Sequence, residues 1–138
     1  MIYLDTSVAL AHLLAEDRQP PDTLWKQTVV SSRLLEYELW TRVNARRLGT
    51  SHGEAVRALL ARVALLELSP AVLSRALEPF PAPVRTLDAI HLASADFLRG
   101  QKQTVEVASY DDRFLTAAGR MGFTIPQYCS SSDSPATR

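Results

Sequence analysis

A chain of 138 residues, 46% hydrophobic and 22% charged, has the size and balance of one globular domain with a sizeable core. Fifteen basic residues face 15 acidic ones, so no global positive field gathers nucleic acid, and no apolar run nears the roughly 18 residues that cross a membrane. A single cysteine, Cys129, excludes an internal disulfide and a cysteine-based zinc site, and the N-terminus lacks a basic leader region, so cytoplasmic localisation is expected.

Met1-Ile-Tyr-Leu-Asp-Thr-Ser7 runs three apolar residues into a carboxylate, which suits a buried strand that ends where polar chemistry begins. Thr6 or Ser7 then caps a helix through Leu14. Glu16 to Pro21 is a polar break, and Pro21 or Asp22 starts a short helix through Lys26. Thr28-Val-Val30 reads as a second strand, with Ser31 or Ser32 capping a helix from Arg33 to Leu48 that stops at Gly49. Ser51 or His52 opens another helix to Ala64, and Leu65-Leu-Glu-Leu68 reads as a third strand. A short helix from Pro70 to Leu77 leads into Pro79-Phe-Pro-Ala-Pro83, too rich in proline to be regular. Thr86 caps a helix from Leu87 to Leu98 that Gly100 ends. Val105 to Ser109 alternates as a strand, Asp111 or Asp112 opens the last helix, and Gly122 to Ile125 adds an edge strand. Residues 127–138 form a tail, expected to be disordered from about Ser130 because it has little apolar surface to bury. Strands alternating with helices predict an α/β fold with a mostly parallel sheet of four to five strands, covered on both faces.

Four carboxylates fall in or near the predicted junctions: Asp5 after the first strand, Glu38 in the helix after the second, Asp88 in a first helical turn, and Asp111 after the penultimate strand. In a parallel sheet such junctions share one edge and can converge. Converged, they repel by roughly 4 kcal/mol per close pair at an effective dielectric near 20, so a cation is needed; Mg²⁺ or Mn²⁺ suits an all-oxygen set. Each acid also has a plainer role. Asp5 and either Asp111 or Asp112 can be helix caps, and Asp88 can complement a helix dipole. Glu38 can pair with Arg42 one turn on, and Glu36 competes with it for the acidic role. His91 can hydrogen-bond a carboxylate or sit in a packing contact, and Asp96 reads as a surface charge. Thirteen of the 15 basic residues are Arg, a group that grips phosphate with two hydrogen bonds, though a G+C-rich coding sequence produces the same bias. Three of them, Arg42, Arg46 and Arg47, follow Glu38 in the same predicted helix.

Leu4-Asp-Thr-Ser7, Ser32-Arg-Leu-Leu-Glu-Tyr-Glu-Leu-Trp40, Arg85-Thr-Leu-Asp-Ala-Ile-His-Leu-Ala93 and Ser109-Tyr-Asp-Asp-Arg-Phe114 resemble, in this order, the motifs of PIN-domain proteins, and most of all the VapC toxins of bacterial toxin–antitoxin pairs. The resemblance covers about residues 1–126. It implies a three-layer α/β/α sandwich and an endoribonuclease whose acids hold Mg²⁺ or Mn²⁺. It assigns the metal-binding and catalytic positions to Asp5, Glu38, Asp88 and Asp111, with Asp112 as the alternate, and substrate contacts to Thr6, Ser7 and Arg42. It further implies an RNA substrate, a cognate antitoxin, a homodimer, and contact with DNA only through the antitoxin; Leu14, Leu24 and Trp25 are either docking residues or core. Two rivals remain from the residues. One is a non-catalytic module binding RNA or a partner. The other uses Asp5 as a phosphoryl-accepting nucleophile, although Ser7 stands where that chemistry usually places a second Asp.

Overall fold

Ile2, Tyr3 and Leu4 have no exposed surface, as a strand covered on both faces requires, and they form β1 (Ile2–Leu4) in the middle of the sheet. The structure is a computed structural model that describes residues 1–130. After β1 come α1 (Thr6–Leu13), a 3-10 turn (Asp22–Lys26), β2 (Val29–Ser32), α2 (Arg33–Ala45), α3 (Gly49–Leu60) and β3 (Ala64–Leu66). The chain continues through α4 (Pro70–Ala76), α5 (Thr86–Gly100), β4 (Glu106–Ala108), α6 (Asp112–Arg120) and a final 3-10 turn (Gln127–Cys129). The four strands are parallel and lie in the order β3-β2-β1-β4.

That order follows from the connections. The chain winds outward from β1 to β2 and β3, then returns to the other flank of β1 as β4, so the direction of winding reverses between β1 and β4. Such a reversal opens a crevice beyond the carboxyl ends of the two strands. The last rung there is the hydrogen bond from the Asp5 amide to the Ala108 carbonyl at 2.9 Å, and Asp5 and Ser109 lie beyond it.

The alternating side chains of β1 divide the core. Ile2 and Leu4 join Val8, Leu35, Leu39, Val43, Val56 and Leu59 from α1, α2 and α3. Tyr3 joins Leu92, Ala95, Phe114, Ala117 and Ala118 from α5 and α6. This is the three-layer sandwich expected, and burying a Leu or Phe side chain on either face contributes about 2 kcal/mol.

Several boundaries differ from expectation. Helix α2 stops at Ala45 rather than Leu48, because Arg47 adopts a left-handed conformation (φ 58°) and the Leu48 and Arg47 amides return to the Val43 and Asn44 carbonyls. This closure satisfies the last carbonyls without glycine, and Gly49 instead opens α3. Lys102 (φ 64°) likewise terminates the turn after α5, so Gly100 stays helical. Strand β3 begins one residue early and ends at Leu66, and the segment around Thr124 contributes one bridge to Glu106 rather than a strand. Thr86 is the first residue of α5 rather than its cap. The segment expected to begin a tail is still packed at its start: Cys129 is wholly buried and burial pushes its thiol up to about 11, which leaves it unreactive. Residues 131–138, where disorder is expected, lie outside the described residues.

Asp96 is not an isolated surface charge. It accepts from Arg75 Nε and Arg99 Nη2, both at 2.8 Å, and so ties α4 to α5 with its side chain only 25% exposed. Burial pushes its carboxyl up, but the two arginine hydrogen bonds and charges outweigh burial and hold it below the ordinary value. We expect Asp96→Asn to cost about 1 kcal/mol at neutral pH. The lowered folded pKa means this contribution is present above the unfolded value of 3.8 and is lost as pH falls through the folded value. The gap between wild-type and variant melting temperatures should therefore narrow as pH falls below 3.8, and a gap that does not narrow there would contradict the ion pair's role.

Candidate active site

Asp5 ends β1 and is itself the N-cap of α1, a role the sequence offered to Asp5 as well as to Thr6 or Ser7. Its Oδ2 accepts from the Ser7 amide at 3.4 Å, the Ser7 hydroxyl at 2.6 Å and the Ser109 hydroxyl at 2.8 Å. Ser109 in turn accepts from the Asp111 amide at 3.0 Å, and Ser7 Oγ from the Tyr110 amide at 2.9 Å. The end of β4 is thereby tied to the end of β1 through one carboxylate oxygen. Asp5 is 5% exposed, with Oδ1 4.0 Å from His91 Nε2.

Helix α2 starts where Ser32 caps the Leu34 amide, and its second turn carries Glu38 into the crevice. Glu38 Oε1 accepts from the Thr6 hydroxyl at 2.6 Å and from His91 Nε2 at 2.7 Å. Burial pushes the Glu38 carboxyl up, and the hydrogen bonds from His91 and Thr6 more than reverse this, so it lies below the ordinary range. Glu36, its competitor, instead sits within 3.5 Å of Arg33 at the surface.

His91 is 1% exposed on the inner face of α5, with Nδ1 2.8 Å from the Tyr3 hydroxyl. Burial, the strongest influence, pulls its pKa down. The Tyr3 hydroxyl, the Glu38 hydrogen bond and the charges of Asp5 and Glu38 outweigh burial and raise it to about 10. A protonated ring donates from both nitrogens, to Tyr3 and to Glu38, and leaves neither acceptor without a donor.

Asp88, in the first turn of α5, is 8% exposed. Burial raises its pKa; the hydrogen bond from Arg85 opposes this, and the charges of Asp5 and Asp111 add to it. Asp111 caps α6, its Oδ1 accepting from the Arg113 and Phe114 amides, so its other oxygen faces the crevice. Arg85 bridges the two acids: Nε lies 3.2 Å from Asp88 Oδ2, and Nη2 contacts Asp111 Oδ2. Asp112 is exposed on the first turn of α6.

Among the described residues, Arg85 and His91 are the cations in ion-pair contact with these four carboxylates, with Arg42 acting on Glu38 from farther off, so the contacts leave about two negative charges unmatched. The donors are all hard oxygens, so the set fits Mg²⁺ or Mn²⁺ in chemistry and in charge. Among the described residues, however, no three His, Cys, Asp or Glu side chains stand close enough to share an ion as they sit. Two grooves lie nearby, the first lined by two of the four acids and the second by none of them. One is lined by Glu38, Arg42, Arg85, Thr86, Leu87 and Asp88; the other includes Ser7, Arg18, Arg42, Arg46 and Tyr110. Arg42 borders both.

The PIN domain family model matches residues 2–120 of the chain. The chain belongs to the PIN-domain family. This PIN domain is 32% identical to Ribonuclease VapC47 of Mycobacterium tuberculosis over 130 residues, spanning 89% of the chain and 93% of that protein. It is 33% identical to Ribonuclease VapC46 of the same organism over 127 residues, spanning 90% and 95%. Among solved structures it resembles M. tuberculosis VapC20, described as a Sarcin-Ricin loop cleaving toxin, with a TM-score of 0.65, 23% identity, and 85% and 95% of the two chains covered. It also resembles a toxin–antitoxin complex chain from Klebsiella pneumoniae, with a TM-score of 0.59, 14% identity, and 93% and 98% covered. These two likenesses bear on the fold.

In this PIN domain, Asp5, Glu38, Asp88 and Asp111 come to one crevice, while Asp112 is exposed in the first turn of α6. Thr6 and Ser7, expected to touch substrate, spend their hydroxyls on Glu38 and Asp5. Leu24 is wholly buried core; Leu14 and Trp25 are half-buried and packed against it. Sequence reasoning missed Tyr3, Arg85 and Ser109. The one signal for Arg85 was its place three residues before Asp88, a spacing that brings side chains together on a helix.

Proposed function

We propose that this PIN domain is an endoribonuclease dependent on Mg²⁺ or Mn²⁺ and the toxin of a toxin–antitoxin pair. The observation that carries the reading is the gathering of Asp5, Glu38, Asp88 and Asp111 at the reversal between β1 and β4, with about two negative charges unmatched. Asp5, Glu38, Asp88 and Asp111 would hold the divalent ion, which when bound would supply an acidified water and neutralise charge on the departing oxygen. The chain's own groups do the rest. Thr6 and His91 fix Glu38, Ser7 and Ser109 fix one oxygen of Asp5, and the α6 amides fix one oxygen of Asp111, so the carboxylates are oriented before substrate arrives. Water adds to phosphorus, the phosphorus–oxygen ester bond breaks, and a proton passes to the departing oxygen; no side chain need become covalently attached. A module that only binds RNA or a partner has no use for four acids in one crevice, since they repel phosphate when no cation is bound.

Arg42, exposed and bordering both grooves, is the residue best placed to hold a phosphate of an unpaired RNA segment, with Arg46 beside it. We expect Arg42→Ala to weaken RNA binding about fivefold and to lower the salt slope of binding by about 0.7, the value for one phosphate of a single strand. Arg47→Ala, changed outside both grooves, should do neither. Filter binding at several salt concentrations checks this.

The same reading makes this chain the partner of a cognate antitoxin and one half of a homodimer, resident in the cytoplasm, with DNA contacted only through the antitoxin. Its support is kinship with proteins named VapC and the absence, among the described residues, of a helix long and apolar enough to cross a membrane. The deciding experiment is cleavage of total RNA by purified protein with Mg²⁺, with Mn²⁺ and with EDTA. Cleavage only with the metals is expected, and equal cleavage in EDTA would refute the metal-dependent reading.

A further inference from the structure

We propose that Arg85 is a resident counter-ion of the acidic crevice, a cationic gate that holds Asp88 and Asp111 together until a divalent cation displaces it. This inference rests on the metal-binding reading above. The two acids are set by the fold: their side chains are 12% and 22% exposed, one in the first turn of α5 and the other capping α6. Arg85 reaches between them with a side chain 63% exposed. It takes Oδ2 of each acid; the remaining oxygen of Asp111 is already engaged by the α6 amides. Any cation binding between Asp88 and Asp111 therefore meets the guanidinium first.

The exchange is energetically reasonable. Ion pairs to an exposed arginine are individually weak, whereas a doubly charged ion facing Asp5, Glu38, Asp88 and Asp111 gains from every carboxylate. Only the side chain needs to move. The Arg85 main chain is held by its carbonyl, which accepts from the Ala89 amide at 2.9 Å, and the side chain borders a second groove along the Pro79–Pro83 segment that can receive it. An arginine suits this role better than a lysine because its fork engages two carboxylates at once.

The test is Mn²⁺ titration by calorimetry, without RNA, on the full chain. Arg85→Ala should bind Mn²⁺ about tenfold tighter than wild type, the equivalent of 1.4 kcal/mol. Arg85→Lys should fall between them, and Asp5→Asn should lose most binding. In EDTA Arg85→Ala should melt lower than wild type, and saturating Mn²⁺ should close that difference. If Arg85→Ala folds poorly, Arg85→Gln, which retains hydrogen-bonding groups without the charge, serves in its place and should also bind more tightly. Equal Mn²⁺ affinity in wild type and the neutral variants, with binding still lost in Asp5→Asn, would overturn the gate and leave the metal site standing. No Mn²⁺ binding by wild type or by any variant would overturn the metal site, and the gate with it.

Discussion

Asp5→Asn should lower RNA cleavage by at least about 10³-fold while shifting the melting temperature little. The two halves of this expectation have separate causes. An amide keeps one acceptor oxygen, so the cap on the Ser7 amide and the links to the Ser7 and Ser109 hydroxyls can persist, and with them the tie between the ends of β1 and β4. The substitution removes one of four negative charges from the crevice, and replaces an oxygen beside His91 that lies in the innermost part of it. Metal stabilisation of a phosphoryl transition state amounts to several kcal/mol, and each 1.36 kcal/mol is tenfold in rate, which sets the 10³ figure. Removing repulsion among the acids can even raise the stability of the metal-free protein. Paired rate and melting measurements check this; a variant retaining a tenth of the wild-type rate would show that Asp5 is a cap and little more.

The apolar run at Ile2–Leu4 and the polar stop at Asp5 carried both the central strand and the end of it that meets the acidic crevice, because a strand buried on both faces leaves no polar residue until it emerges. The order of strands and helices was legible for the same reason. The reversal between β1 and β4 was not, since nothing local tells β4 to pair with β1 rather than with β3. Helix ends at Arg47 and Lys102 escaped because non-glycine residues took the left-handed positions, a local cost repaid by closing the last carbonyls. The motif favoured Asp111 and kept Asp112 as the alternate, because an Asp stands where an Arg is common; in the structure Asp111 caps α6 and meets Arg85, whereas Asp112 is exposed in the first helical turn. Arg85 was hidden because its partners include Asp111, 26 residues away. The resemblance gave Thr6 and Ser7 as substrate contacts; in the structure their hydroxyls donate to Glu38 and Asp5, which need donors when buried.

His91→Ala should cost about 3 kcal/mol of stability and roughly 10 °C in melting temperature. Helical spacing placed His91 near Asp88, yet its bonds run elsewhere, to Tyr3 beneath and Glu38 across, and its ring lies edge-on to both Tyr3 and Phe114. Deleting it does three things at once. It opens a cavity among side chains that are fully buried, it leaves the Tyr3 hydroxyl without a partner, and it removes the cation between Asp5 and Glu38. The last is the largest, because breaking a buried pair leaves an uncompensated charge whose cost exceeds what the pair itself contributed. Tyr3→Phe isolates the second effect and should cost about 1 kcal/mol, the ordinary value of one hydrogen bond. His91→Ala should also slow cleavage, since Glu38 would retain only Thr6 to orient it. Urea titration of the two variants in EDTA distinguishes these terms. If His91→Ala costs no more than Tyr3→Phe, the imidazole is a spacer in the core, and the charge assigned to it in the crevice is wrong.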